Sequence, residues 1–159
     1  MKIILDRCAV TLATWFGAGF VPKAPGTFGT IAALPFVWLL STYVSSFAER
    51  AIAISVVTSV ALWATSRTER LWQLHDDSRV VADEVAGIMA TLIWFPFDVK
   101  HVILGVVVFR LLDIWKPGPI GYIDEEIPGA RGTVLDDVLA GIISAVVLYL
   151  IFYGWHFYE

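Results

Sequence analysis

The sequence predicts an all-α protein, a small bundle of helices integral to a membrane. Of its 159 residues, 58% are hydrophobic and only 16% are charged, whereas an ordinary soluble domain has about 25% charged residues. Two segments, 28–47 and 138–158, have no Asp, Glu, Lys or Arg over about 20 residues, the length at which a helix crosses a bilayer. We expect both to be membrane helices, and residues 1–159 to form a single domain.

Three shorter apolar segments complete the predicted bundle. Segment 51–66 can cross only where the bilayer thins or flanking residues help. Segments 85–97 and 101–112 are each short for a span, and we expect them to form a hairpin, shallow or crossing, that returns the chain to its starting side. A polar stretch follows at 113–137, and we expect its acidic residues 124–126 to lie in a solvated loop.

Basic residues predict the orientation, because Lys and Arg are retained on the cytoplasmic side of membrane proteins. Only Arg50 and Lys100 fall on the opposite side. Arg110 lies within the hairpin. The other basic residues precede the first span, follow the second, or lie between the hairpin and the last span: Lys2, Arg7, Lys23, Arg67, Arg70, Arg79, Lys116 and Arg131. The polar clusters are therefore predicted to converge on one face, so an active site built from them would lie at the cytoplasmic surface.

Several functional classes are disfavoured by the composition. The net charge is −4 and the 11 Lys and Arg residues form no basic stripe, which argues against a nucleic-acid partner. Cys8 is the single cysteine, so one chain can form neither a disulfide nor a cysteine metal site. The three histidines lack the spacing of zinc ligands; they are His75, His101 and His156.

Two acidic doublets are the most informative motif. Asp83-Glu84 and Asp136-Asp137 each run into a hydrophobic segment that begins with Val and soon carries a Gly. An ionised side chain there is unfavourable, by roughly 2.5 to 3.5 kcal/mol at the middle of a membrane helix. Helix capping explains one carboxylate of a doublet but not two. We therefore predict that all four residues bind a divalent cation, with the second doublet the firmer half of the site.

A glycine-rich loop from Gly17 to Thr30 precedes the first membrane helix. Such a loop presents backbone N–H groups and a helix N-terminus to an anion, and Lys23 adds a full charge. We therefore consider Lys23, Gly26 and Thr27 as phosphate-binding residues. A simple turn capped by Thr27 or Thr30 is the alternative, and it is the commoner explanation for the loop taken alone.

Arg110, Asp113 and Lys116 are spaced three residues apart, so they share one face of a helix that Pro117 must end. An ion pair between Arg110 and Asp113 explains two of them structurally. However, Arg110 interrupts an apolar run, and an arginine at membrane depth beside a lysine suits phosphate binding. The three residues are therefore candidates for a catalytic phosphate site.

Together, the segments PGTFGT, DEVAG, FRLLDIWKPGPI and GARGTVLDDVLAG resemble the phosphatidylglycerophosphatase A family of bacterial lipid phosphatases. The resemblance extends from about Thr14 to Ala145, although Leu112 and the run Gly129–Gly132 look divergent. It implies a Mg²⁺-dependent enzyme at the cytoplasmic face of the inner membrane. It further implies that the terminal phosphate of phosphatidylglycerophosphate is hydrolysed to give phosphatidylglycerol and inorganic phosphate.

The residues suit phosphomonoester hydrolysis on their own chemistry, because this reaction needs charge neutralisation on the phosphoryl oxygens and an activated water. The two doublets would hold Mg²⁺ while Lys23, Arg110 and Lys116 bind the phosphate. Asp113 would serve as general base or as an additional ligand. Water and an aspartate both remain possible nucleophiles.

Three alternative functions remain open from the sequence. A non-enzymatic transporter subunit would spread polar residues through the membrane depth, whereas here they gather on one side. A lipid-binding module would need a patch of like charges rather than mixed acids and bases. A phosphatase acting on another lipid phosphate would share every one of these residues. Oligomeric state and the number of metal ions are not determined by the pattern.

Overall fold

The computed structural model describes residues 2–154, and every regular element in that part of the chain is helical. A single 3₁₀ turn at Ala18–Phe20 separates the first two helices. The seven α-helices are α1 Lys2–Ala13, α2 Pro25–Tyr43, α3 Phe47–Trp72, α4 Ala82–Leu92, α5 Val99–Trp115, α6 Pro119–Glu126 and α7 Ala130–Tyr153. The predicted all-α class is confirmed.

Three helices, α2, α3 and α7, are long and apolar enough to cross a membrane. The predicted span 28–47 corresponds to α2 and ends earlier, at Tyr43. The predicted span 138–158 corresponds to α7 and starts earlier, at Ala130, while residues 155–159 lie outside the described chain. Helix α3 has 26 residues and exceeds the predicted segment 51–66, because its charged residues lie near its two ends and do not stop the helix.

Helices α4 and α5 form the predicted hairpin, and α4 is the centre of the bundle. Its 11 residues extend over about 17 Å, well short of the roughly 30 Å of a hydrocarbon core. Every residue of α4 except Glu84 is buried. Ile88, Met89 and Leu92 pack with Phe109 of α5 in the largest hydrophobic cluster. Helix α4 is therefore enclosed by protein rather than by lipid.

Alternating chain direction gathers the polar residues at one end of the bundle. Helices α2, α4 and α7 begin there, and α3 and α5 end there; we call it the polar end. Gly26 at the start of α2 lies against Glu84 of α4 and Arg110 of α5. The polar clusters therefore converge at one end of the molecule.

Two glycines bring α4 and α7 into close contact just beyond the acidic doublets. A Cβ atom on Gly141 would overlap the carbonyl oxygen of Gly87, and one on Gly87 would lie 2.5 Å from the ring of Phe109 and 2.8 Å from the Asp137 carbonyl oxygen. Small residues allow helices in membranes to approach this closely. The contact keeps the two acidic segments side by side.

The stretch 113–137 is more ordered than predicted. Residues 124–126 are exposed, but they lie on α6 and not in a loop. Pro119 occupies the first turn of α6, where its fixed φ favours helix formation and its missing N–H removes no intrahelical bond. The loop expectation was wrong because a short amphipathic helix has the same polar composition as a loop.

Candidate active site

Three carboxylates from two helices form an acidic cluster at the polar end. One oxygen from each of Asp83, Glu84 and Asp137 lies within 4.8 Å of the others. Asp83 is 6% exposed and Asp137 is 5% exposed, and the Glu84 side chain is 14% exposed. These three residues are hereafter the acidic cluster. Carboxylates held this close together and this well shielded from water repel one another unless a cation or a proton neutralises them.

Helix α5 contributes Arg110 and Asp113 beside the acidic cluster. The Arg110 Nη1 atom lies 2.6 Å from Asp113 Oδ2 and 3.5 Å from Glu84 Oε1. Asp113 is also close enough for its charge to interact with those of Asp83 and Asp137. The ion pair considered in the sequence analysis is therefore present, and it forms one side of the site.

The glycine-rich loop contacts the same cluster through Gly26. This residue is buried in the first turn of α2, and a Cβ atom here would overlap Glu84 Oε1 and lie 3.0 Å from Arg110 Nη2. Any larger residue here would displace the Glu84 carboxylate from its position beside the loop. Thr27 is half-buried next to it, and Lys23 is exposed in the preceding loop, with no ion pair in the part of the chain that the structure describes.

The second doublet divides between two environments. Asp137 belongs to the acidic cluster, whereas Asp136 Oδ2 lies 2.7 Å from Lys116 Nζ. Lys116 also donates to Asp124 Oδ1 at 2.5 Å. Burial acts to lower the pKa of the Lys116 ammonium, but the hydrogen bonds that it donates to Asp124 and Asp136 outweigh burial and raise that pKa. Asp136 lies outside the acidic cluster, and its role as a metal ligand stays a prediction.

The electrostatics of the first doublet favour a bound cation. Burial, followed by the neighbouring charge of Glu84, raises the pKa of Asp83. Burial also raises the pKa of Glu84, although Asp83 and Arg110 act in the opposite direction. Among the described residues, Glu84 Oε2 is buried without a hydrogen-bond partner. A set of carboxylate oxygens with one unsatisfied atom fits a hard divalent cation such as Mg²⁺, rather than a metal that prefers sulfur.

One buried carboxylate at the polar end was missed in the sequence. Glu69 lies in the last turn of α3 and accepts a hydrogen bond from the backbone N–H of Ala130, the first residue of α7. Its sequence neighbours are polar, and its partner is a backbone group 61 positions away. No local pattern distinguishes such a residue from a solvated glutamate.

These observations define a class, a membrane helix bundle with a buried acidic cluster and an arginine at one end. The chain belongs to the phosphatidylglycerophosphatase A family, whose sequence model matches residues 11–152. The family consists of phosphoric monoester hydrolases, and the chain is therefore an enzyme of that class. The resemblance inferred from the motifs is confirmed.

Three relatives show how far the similarity extends. Phosphatidylglycerophosphatase A of Escherichia coli K12 is 37% identical over 145 residues, covering 91% of this chain and 83% of the relative. The Haemophilus influenzae protein of the same name is 32% identical over 155 residues, covering 96% and 93%. A Bacteroides thetaiotaomicron protein, provisionally named a phosphatidylinositol-3-phosphatase, is 34% identical over 146 residues, covering 87% and 90%. No solved structure matches the chain significantly.

Proposed function

We propose that the protein hydrolyses the terminal phosphate monoester of phosphatidylglycerophosphate to phosphatidylglycerol and inorganic phosphate, and that it requires Mg²⁺. The observation that carries this proposal is the acidic cluster beside Arg110. The names of the Escherichia coli and Haemophilus influenzae relatives support the substrate. The excess of basic residues at the polar end supports a site that faces the cytoplasm from the inner membrane of a bacterium.

Asp83, Glu84 and Asp137 would hold the Mg²⁺ ion, since they offer oxygens from two helices that cannot all remain charged without a cation. When bound, Mg²⁺ supplies charge neutralisation for the phosphoryl oxygens and lowers the pKa of a coordinated water. The surrounding chain excludes other water, because Asp83 and Asp137 are buried. Exclusion of bulk water strengthens every charge interaction within the site.

Arg110 is placed to bind the phosphate. Its guanidinium carries five N–H donors, and only Asp113 and Glu84 share them as ion-pair partners among the described residues. The ion pair with Asp113 holds the guanidinium plane in position before substrate arrives. Asp113 itself acts either as the base that takes a proton from the attacking water or as a further metal ligand, and both roles fit its proximity to the cluster.

Lys116 and Lys23 extend the phosphate site outward. Lys116 Nζ is held between Asp124 and Asp136 at the polar end, so its positive charge lies near the start of α7. Asp136 then contributes to catalysis by holding this lysine. Lys23 is exposed three residues before Gly26, and we propose that it contacts the outer phosphate oxygens. Gly26 and Thr27 offer the N–H groups of the first turn of α2.

The experiment that tests the proposal measures released phosphate from detergent-purified protein. Phosphatidylglycerophosphate and phosphatidylinositol 3-phosphate are compared with Mg²⁺ or with EDTA. We expect the faster release from phosphatidylglycerophosphate, and none in EDTA. Faster release from phosphatidylinositol 3-phosphate would instead favour the activity in the name of the Bacteroides relative. Absence of metal-dependent release from every lipid phosphate would overturn the phosphatase assignment.

A further inference from the structure

Glu69 connects the end of α3 to the start of α7. Its side chain is 7% exposed, and Oε2 accepts from the backbone N–H of Ala130 at 3.2 Å. The other oxygen, Oε1, faces the backbone N–H of Asp76 at 3.5 Å. His75 Nδ1 lies 3.7 Å from Oε2, but this imidazole is largely exposed. The carboxylate therefore joins α3, the loop after it and α7 at one point.

The start of α7 needs an acceptor from elsewhere in the chain. The first N–H groups of a helix have no intrahelical partner, and the residue before α7 is Gly129, which has no side chain to cap them. Gly129 also has φ +68°, a conformation in which other residues are strained. Glu69 supplies the missing acceptor, and its negative charge suits the positive end of the helix dipole.

The position of Ala130 determines the position of Asp137. The two residues are seven apart, which is about two helical turns, so they lie on nearly the same face of α7. Any shift of the helix start is therefore passed on to Asp137, while Asp83 and Glu84 stay on the enclosed helix α4. Metal sites tolerate displacements of only about 0.2 Å in their ligand distances.

We propose that Glu69 is a positioning residue for the metal site, which holds α7 at the height where Asp137 completes the acidic cluster. The inference rests on the proposed function, because it takes the acidic cluster as the Mg²⁺ site. Glu69 touches neither substrate nor metal in this proposal. It acts through the backbone of Ala130.

The test compares Glu69→Ala with Glu49→Ala. Glu49 is the matched control, because its carboxylate also caps a helix, accepting from the backbone N–H groups of Ser45 at 2.8 Å and Ser46 at 3.0 Å. That cap lies at the start of α3, the end remote from the acidic cluster. Mn²⁺ binding, followed by electron paramagnetic resonance without lipid, is measured with thermal stability for each protein.

We expect Glu69→Ala to weaken Mn²⁺ binding about 10- to 100-fold, the range typical of lost outer partners of metal ligands. Glu49→Ala should lower thermal stability and leave Mn²⁺ affinity unchanged. Glu69→Gln should recover much of the affinity, since its amide oxygen still accepts from Ala130, although a neutral bond is about half as strong as a charged one.

The outcomes separate this inference from the proposed function. Wild-type protein that binds Mn²⁺ but releases no phosphate would overturn the proposed function, while Glu69→Ala would still decide the inference. Equal Mn²⁺ affinity in wild type and Glu69→Ala would show that Glu69 only caps the helix, and it would overturn the inference. Wild-type protein that binds no divalent cation would overturn it as well, because no metal site would then exist for Glu69 to position.

Discussion

The two acidic doublets have nearly the same local sequence, yet the structure uses them differently. Both members of Asp83-Glu84 join the acidic cluster, whereas Asp136-Asp137 contributes only Asp137 and directs Asp136 to Lys116. Adjacent helical residues point about 100° apart, so the two side chains of a doublet need not reach the same site.

The positions of the two helices explain the difference. Helix α4 is enclosed on all sides, and its doublet lies in the first turn, where the extra methylene of Glu84 lets its carboxylate reach around. Helix α7 packs against α3, α4, α5 and α6, so its two carboxylates meet different neighbours: Asp137 lies at α4, and Asp136 lies at Lys116, which follows α5. A repeated motif therefore does not imply a repeated role. One doublet is a pair of candidate ligands, and the other is one ligand and one anchor for a lysine.

The largest effect is expected from Asp137→Asn. The change removes a charged oxygen from the acidic cluster, and a metal ion supplies several kcal/mol of charge stabilisation in the transition state. We expect Mg²⁺-dependent phosphate release to fall by about a thousandfold, which corresponds to roughly 4 kcal/mol. Phosphate release by the purified variant measures this, with membrane extraction as the control for insertion. Near-normal activity would remove Asp137 from the site.

Asp136→Asn should have a smaller effect of a different kind. Lys116 would keep Asp124 and lose its buried partner, so the phosphate site should loosen while the metal site stays intact. We expect kcat/KM to fall about 10- to 100-fold, the range for lost orienting partners. The Mg²⁺ concentration that gives half-maximal activity should be unchanged. If that concentration rises, both members of the doublet are ligands, as the sequence pattern alone predicts.

Much of the bundle could be predicted because long uncharged runs determine membrane helices almost by themselves. The segments that became α2 and α7, and the convergence of charged residues at one end, needed only counting. The family likewise followed from four short motifs in order. Features that depend mainly on composition can therefore be predicted directly from the sequence.

The remaining features depend on the directions in which particular side chains point, which composition does not encode. Asp136 and Asp137 are indistinguishable in sequence, and their separation depends on where α7 begins and on the presence of α6. Glu69 has a backbone group as its partner, and backbone groups leave no trace in side-chain patterns. The close contact of Gly87 with Gly141 was partly visible, since each acidic doublet is followed within a few residues by a glycine, which is small enough to let helices approach.

The spacing of the two doublets can be tested by Gly141→Ala. The added methyl would overlap the Gly87 carbonyl oxygen and lie 3.0 Å from Ala90 Cβ, so α7 must move away from α4. We expect a loss of stability of about 1 to 3 kcal/mol, typical of overpacking, together with weaker Mg²⁺ binding. Gly154→Ala is the control, because its nearest described neighbour is 3.9 Å away. Thermal unfolding of both variants in detergent measures the difference, and equal stability would contradict the close contact.

In the metal-free protein, Asp83→Asn should give the smallest change in stability, with the opposite sign. Burial and then Glu84 raise the pKa of Asp83, so its folded-state pKa exceeds its unfolded value. The stabilisation from protonating Asp83 is therefore complete below the unfolded pKa and is lost as the pH rises through the folded pKa. Asparagine mimics the neutral form at every pH.

At about pH 7 in EDTA, an ionised Asp83 is repelled by the neighbouring carboxylates with no metal ion to neutralise them. We therefore expect Asp83→Asn to be more stable than the wild type by about 1 kcal/mol, or roughly 3 °C in Tm. The wild type should approach the variant as the pH falls, because protonation then relieves the repulsion. Asp136→Asn should instead lose stability, since it deprives Lys116 of a partner. Thermal unfolding of the three proteins across pH measures both effects. A lower Tm for Asp83→Asn would mean that the first doublet stabilises the metal-free fold, and that its carboxylates are kept for structure rather than for the cation.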